Sequence, residues 1–253
     1  METKNFQTGK PKLATSVLYL LAFAVLLSSC ASFEAGSNVQ RGRYALLRGD
    51  SKLAVNHFQR ASEIDPNLVY RIGPMQEGVW TYLGRAHYAG GDLKSALKAL
   101  EQARTKHPED YFAPLYLGLT LAKEGDRQRG AQELHAGLTG LNNWLLYIDQ
   151  YSADRAYWDP GALIRSGIQK ELARIDNKEI NWTDLIAGAE RIGTDLESEA
   201  DEAQKEKRRE ARDSGKNDGK VVRRRASTPD KDRKLVPIRR VTPTLPIGMG
   251  EGD

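Results

Sequence analysis

Gly78–Pro108 reads GVWTYLGRAHYAGGDLKSALKALEQARTKHP, and this stretch decides the fold. Trp80, Leu83 and Gly84 stand at helical spacing, a turn pair Gly91-Asp92 follows, and Ala96, Leu100 and Ala103 resume the helical spacing before Pro108 stops it. The pattern predicts two helices joined by a tight turn. The large residues fill the seam between them, and the small ones let the backbones approach.

The pattern recurs. Thirty-four residues on, Leu117-Gly118 falls on Leu83-Gly84, Gly125-Asp126 on Gly91-Asp92, and Leu134 on Leu100. Gly130 and Gly137 replace Ala96 and Ala103, and Asn142 replaces Pro108. Helical glycine costs about 1 kcal/mol relative to alanine, so the second helix of this unit is expected to be soft. Forty-two residues back, Gly42, Gly49-Asp50, Ala54, Phe58, Ala61 and Pro66 match, with Asn38 in the place of the tryptophan. The eight extra residues lie near VYRIGPMQ, Val69–Gln76, where Gly73-Pro74 reads as a loop. Gly49, Gly91 and Gly125 supply turn geometry that a side chain resists. One such unit cannot bury its own apolar face, whereas three stacked units can.

The W-x₂-L-G spacing, the small residues of the second helix and the stop proline resemble the tetratricopeptide repeat, with His87 and Leu100 where that family carries Tyr and Phe. The resemblance implies an all-α fold of about three helical hairpins in a short superhelix. It also implies a concave side, lined by the first helix of each hairpin, that binds a partner's peptide or helix. By the same resemblance, Val39, Arg43, Leu46, Thr81, Arg85, Tyr88, Leu115, Leu119 and Lys123 face that groove. Arg43 and Arg85 occupy equivalent places and could grip an acidic peptide bidentately. Tyr88 could add a flat apolar contact. The plainer reading, that the arginines only solubilise the helices, stays open. The Lys and Asn set with which some family members hold a C-terminal carboxylate has no match.

Beyond the repeats, Trp144, Leu145, Ile148 and Tyr151 predict a further helix from Asn142 that covers the open end of the stack. Asp159-Pro160 reads as a helix cap followed by proline at the first helical position. Leu163 or Ile164, Ile168, Leu172 and Ile175 make its stripe. Asn181 caps a last helix faced by Trp182, Leu185, Ile186, Ala189, Ile192 and Leu196. Past Leu196 the stripe fades, and the chain reads as a solvated, ion-pair-laced helix that frays near Asp213. From Ala203 to Arg240 there are 15 Lys or Arg against 6 Asp or Glu, a net of +9. With so few apolar residues the tail 213–253 is expected to be disordered. Arg223, Arg224 and Arg225 are its densest cationic point, available to anionic lipid, cell-wall polymer or an acidic protein, or simply solvated.

The N-terminus carries an address. Lys4, Lys10 and Lys12 precede the apolar run Leu13–Leu27, short for a membrane span and apt for a signal peptide. It ends in Leu27-Ser28-Ser29-Cys30, which resembles the lipobox of bacterial lipoproteins. That resemblance implies removal of residues 1–29 and a diacylglyceryl and N-acyl lipid on Cys30, the only cysteine of the 253 residues. It further implies a body outside the cytoplasm. Ala31, where Asp would signal inner-membrane retention, points to the periplasmic face of the outer membrane, or to the cell membrane in a host without one. An uncleaved membrane helix and ordinary secretion are the competing readings. Seven residues, 31–37, would tether the body within about 25 Å of the lipid.

The expected organisation is therefore a signal peptide (1–29), a lipidated tether (30–37), a repeat domain with its capping helix (38–158), C-terminal helices (159–212) and a basic tail (213–253). No zinc-protease, nucleophile-elbow or phosphate-loop motif is present, and His57, His87, His107 and His135 lack metal-ligand spacing. The expectation is a non-enzyme without a cofactor and without a nucleic-acid partner. It acts as an envelope scaffold or adaptor that binds partner proteins through its groove. Pilus or secretion assembly, regulation of cell-wall enzymes and outer-membrane assembly are the settings open to it. The alternative is a structural tether whose basic tail holds cell wall or anionic lipid.

Overall fold

The computed structural model describes residues 32–177 and 179–226, of which 214–226 are described as backbone. The targeting segment, Cys30 and residues 227–253 lie outside the described residues. The chain is mostly helical. Helix α1 covers 32–47, and α2 Ser51–Ile64 returns along it. Strands β1 Val69–Ile72 and β2 Met75–Gly78 follow, then α3 Val79–Ala89, α4 Leu93–Lys106, α5 Phe112–Glu124 and α6 Arg127–Tyr151. A 3₁₀ turn at Arg155–Tyr157 leads to α7 Leu163–Ile175 and α8 Trp182–Ala226. No helix among the described residues is long and apolar enough to cross a membrane.

Three helical hairpins, α1/α2, α3/α4 and α5/α6, form the stack. Their turns are built alike. Gly49, Gly91 and Gly125 take φ of +77°, +78° and +101°, where a β-carbon is strained. The aspartate after each one caps the next helix. Asp50, Asp92 and Asp126 accept the backbone N–H of Leu53, Ser95 and Arg129 at 3.0, 3.1 and 3.2 Å. Within the hairpins Gly42, Gly84 and Gly118 lie against Phe58, Leu100 and Leu134, all three of which are fully buried. Trp80 is half-buried beside this seam and donates its indole N–H to the Pro66 carbonyl at 2.7 Å.

Several expectations are corrected. Residues 69–78 form an antiparallel β-hairpin, with Val69 opposite Gly78 and Ile72 opposite Met75. Gly73, at φ +56°, supplies the positive dihedral that a two-residue strand connection needs at its first position. Helix α6 runs unbroken for 25 residues, so the expected separate helix from Asn142 does not exist. Leu134, Leu138, Leu141, Leu145 and Ile148 are one continuous buried stripe, and no proline interrupts it. In its first half Gly130 and Gly137 press against the backbone of α5.

Asp159 does cap α7, but across a turn. Its carboxylate accepts the N–H groups of Ile164 and Arg165 at 2.9 and 3.1 Å, while Pro160 lies outside the helix. Asn181 caps α8 as expected, accepting from Asp184 N–H at 3.2 Å. Helix α1 already occupies residues 32–37, which were expected to belong to the tether. The main body closes within α8 at Arg208. Residues from Arg209 belong to a second unit, helical to Ala226 and so past the expected fraying point at Asp213.

Candidate functional site

The first helix of each hairpin contributes one cation to the inner face. Arg43 comes from α1, Arg85 from α3 and Lys123 from α5, with Tyr88 one turn beyond Arg85. All four expected groove residues therefore come together, but the groove is not open. Helix α8 lies along it. Leu185, Ala189, Ile192, Leu196, Ala200 and Ala203 are buried along its length, so its packed stripe does not end at Leu196. Val39, Thr81, Leu115 and Leu119, also expected to face a partner, are completely buried.

The contacts between α8 and the inner face are ionic as well as apolar. Arg43 binds Glu197 and, at 3.1 Å, Asp201. Arg85 reaches Glu197 at 2.9 Å and both oxygens of Glu77 at 2.6 and 2.7 Å. Tyr88 donates its hydroxyl to Glu190, and Lys123 meets the same carboxylate at 2.8 Å while lying 4.4 Å from the Tyr88 ring centre. The Arg85 guanidinium sits among the rings of Tyr116, Phe112 and Tyr82, at 5.0, 5.3 and 5.5 Å. Beneath it Asp110, buried, accepts from Gly78 N–H at 2.7 Å and from the Thr81 hydroxyl at 2.6 Å, tying the β-hairpin to α3.

Burial pulls both guanidiniums down, but the facing carboxylates outweigh it and hold Arg43 and Arg85 above their ordinary value. Glu197, although buried, is held below the usual carboxylate range by Arg85 and Arg43 together. Glu77 goes the other way. Burial pushes it up to about 8, with Arg85 pulling back only part of the shift. Two cations thus face the carboxylates of Glu77, Glu197 and Asp201, and burial together with this crowding of negative charge favours the protonated form of Glu77.

A pH dependence follows. The folded-state pKa of Glu77 lies above its ordinary value of 4.5, so the native chain holds an extra proton between the two values. Stability should therefore fall as pH climbs through that window. Glu197, shifted downward, acts only below it. Glu77→Gln keeps the shape and should flatten the fall, which urea midpoints measured between about pH 5 and about pH 9 will read. A wild-type slope that persists unchanged in Glu77→Gln would assign the titration to another group.

Reasoning from sequence missed Glu77, Glu190, Glu197 and Asp201. A signal existed for three of them. Positions 190, 197 and 201 are seven and four apart, so they share one edge of the α8 apolar stripe. Glu77 carried none, because its role depends on the unforeseen β-hairpin. Arg223, Arg224 and Arg225 fall on helical backbone in the second unit, with side chains outside the description.

Beside α8 the inner face leaves a cleft of about 360 Å³, walled by Leu46, Leu47, Tyr88, Tyr116, Glu190 and Thr194. Its walls are aromatic and aliphatic, and its charged groups are already held in pairs. The chain matches no protein-family model and no curated protein sequence.

Proposed function

We propose that this chain is a non-catalytic, tetratricopeptide-type scaffold of the bacterial envelope. It is anchored by lipid on Cys30 at the periplasmic face of the outer membrane, or at the cell membrane of a host with no outer membrane. The observation that carries the reading is the inner face itself. Arg43, Arg85, Tyr88 and Lys123, from successive hairpins, hold an acidic amphipathic helix in the manner of a repeat groove. The occupant is the chain's own α8. Partner proteins then dock on the composite surface of inner face and α8, at the cleft by Tyr88 and Thr194. A tether reading is favoured by the excess of Lys and Arg in the tail, which suits cell-wall polymer or anionic lipid.

Thr194→Arg fills the cleft from the exposed side of α8 without removing a buried charge. Envelope proteins captured by the wild type should be lost with Thr194→Arg while its thermal midpoint stays unchanged. Deletion of residues 213–253 should leave capture intact. If capture survives Thr194→Arg but the tail deletion frees the protein from the wall, the tether reading replaces the scaffold. Cys30→Ser should move the protein out of the membrane fraction; a variant that stays there with its fatty-acid label would end the anchor reading.

A further inference from the structure

The two ends of the stack differ. The last hairpin is covered by α7, which packs on α6. On α1, the first helix, and the turn that ends it, one stripe is bare: Phe33, Ser37, Arg41, Tyr44 and Arg48 recur at three- and four-residue spacing and are exposed or half-exposed. Phe33 is 81% exposed, Tyr44 47% and Leu47 43%, and Leu53 of α2 adds 38%. A terminal repeat normally presents a polar outer face. This one presents large apolar groups instead.

Arg41, Tyr44, Leu47, Arg48, Leu53 and His57 line a shallow cavity of about 290 Å³ there, with no acidic residue among them. Neither arginine side chain has an ion-pair or hydrogen-bond partner among the described residues. The nearby acids are already engaged. Glu34 pairs with Arg60 at 3.4 Å, and Asp50 accepts the Leu53 N–H at 3.0 Å. His57 is held by Asn38 at 3.2 Å.

We infer that this end face is a membrane-docking surface that lies on an anionic phospholipid bilayer. Phe33, Tyr44, Leu47 and Leu53 enter the interface, and Arg41 and Arg48 bind headgroup phosphates. Aromatic and aliphatic groups beside unpaired cations are the composition of an interfacial helix. A second copy of the chain suits the face poorly, because a twofold contact brings the same patch against itself and the cavity lining offers these arginines no acidic residue. The inference rests on the lipid-anchor reading for its geometry. Helix α1 is under way two residues past Cys30, so at 1.5 Å per residue Arg41 lies only about 14 Å along it from residue 32. An anchor at that point lays the stripe against the membrane.

The test uses the full-length protein purified from membranes and placed in nanodiscs of phosphatidylcholine, with or without phosphatidylglycerol. Acylated Cys30 has no free thiol, so Tyr44→Cys or Tyr147→Cys takes a single polarity-sensitive label. Tyr147 is the exposed comparator on α6. The label at 44 should shift to the blue and be quenched by lipid-borne quenchers in anionic discs, while that at 147 stays in water. Replacing Arg41 and Arg48 by Gln should lower the docked-to-undocked ratio roughly thirtyfold, as expected for two basic residues at an anionic surface. A label at 44 that stays in water, or a Gln pair docking like the wild type, overturns the inference. So does a shift that needs only high protein concentration in detergent, which would mean a second copy. Labelling of the wild-type protein at Cys30 marks failure of the anchor reading instead. The same two probes on Cys30→Ser protein added to anionic vesicles then decide the end face by itself.

Discussion

Arg85→Met should cost about 3–5 kcal/mol of folding stability, the largest loss expected of any single charge removal here. Among the described residues Arg85 is the only cation bonded to Glu77, and it shares Glu197 with Arg43. Its removal leaves Arg43 alone against the charges of Glu197 and Asp201, and it takes from Glu77, 1% exposed, its ion-pair partner once that carboxyl ionises. The apolar replacement fills the ring-lined space but does nothing for that carboxylate. The loss should grow as pH climbs and Glu77 ionises, and that growth should be absent from the double variant Arg85→Met, Glu77→Gln, which has no carboxyl at position 77. Urea unfolding reads the stability, and hydrogen exchange locates it. The amides of α8 near Glu197 should lose protection before those of α5 and α6. A loss below about 1 kcal/mol would mean that apolar packing alone holds α8 in the groove.

The second large effect has a sign opposite to helix propensity. Gly137→Ala puts a better helix former into α6, worth about 1 kcal/mol in its favour. Yet its β-carbon would meet the Leu115 backbone nitrogen at 2.5 Å and its Cα at 2.8 Å. Backbone in a packed helix cannot turn aside as a side chain can, so α5 and α6 must move apart. The expected net cost is about 2–3 kcal/mol, at the upper end for overpacking. Gly36→Ala in α1 is the control. No atom lies within 4 Å of its added β-carbon, and it should stabilise by up to about 1 kcal/mol. Paired thermal melts decide the matter: if both substitutions stabilise, the close approach of α5 and α6 is not what Gly137 serves.

The glycines show where a sequence can and cannot be read. Gly49, Gly91 and Gly125, each before Asp, announce their turns because a left-handed residue and a helix cap are local needs met by adjacent residues. Gly130 and Gly137 look like defects in a helix until α5 is seen against them. The β-hairpin at 69–78 was hidden in the same way. Four-residue strands give too short an alternation to distinguish from a loop, and this pair is secured from outside by Asp110 through the N–H of Gly78. In the candidate site Arg43, Arg85, Tyr88 and Lys123 were legible as a set because the repeat period aligns them. Their partners were not, since 154 residues separate Arg43 from Glu197.

By itself the sequence determined the helical class, the three hairpins and their capped turns, because small-large pairing and Gly-Asp turns act over a few residues. The tertiary structure alone decided that α6 is one helix, that Glu77 enters the core on a strand, and that the inner face is filled from within. Occupancy of the groove depends on distant surfaces competing to leave water. The acidic edge and apolar stripe of α8 bury more together against the arginine-lined face than either surface does in solvent.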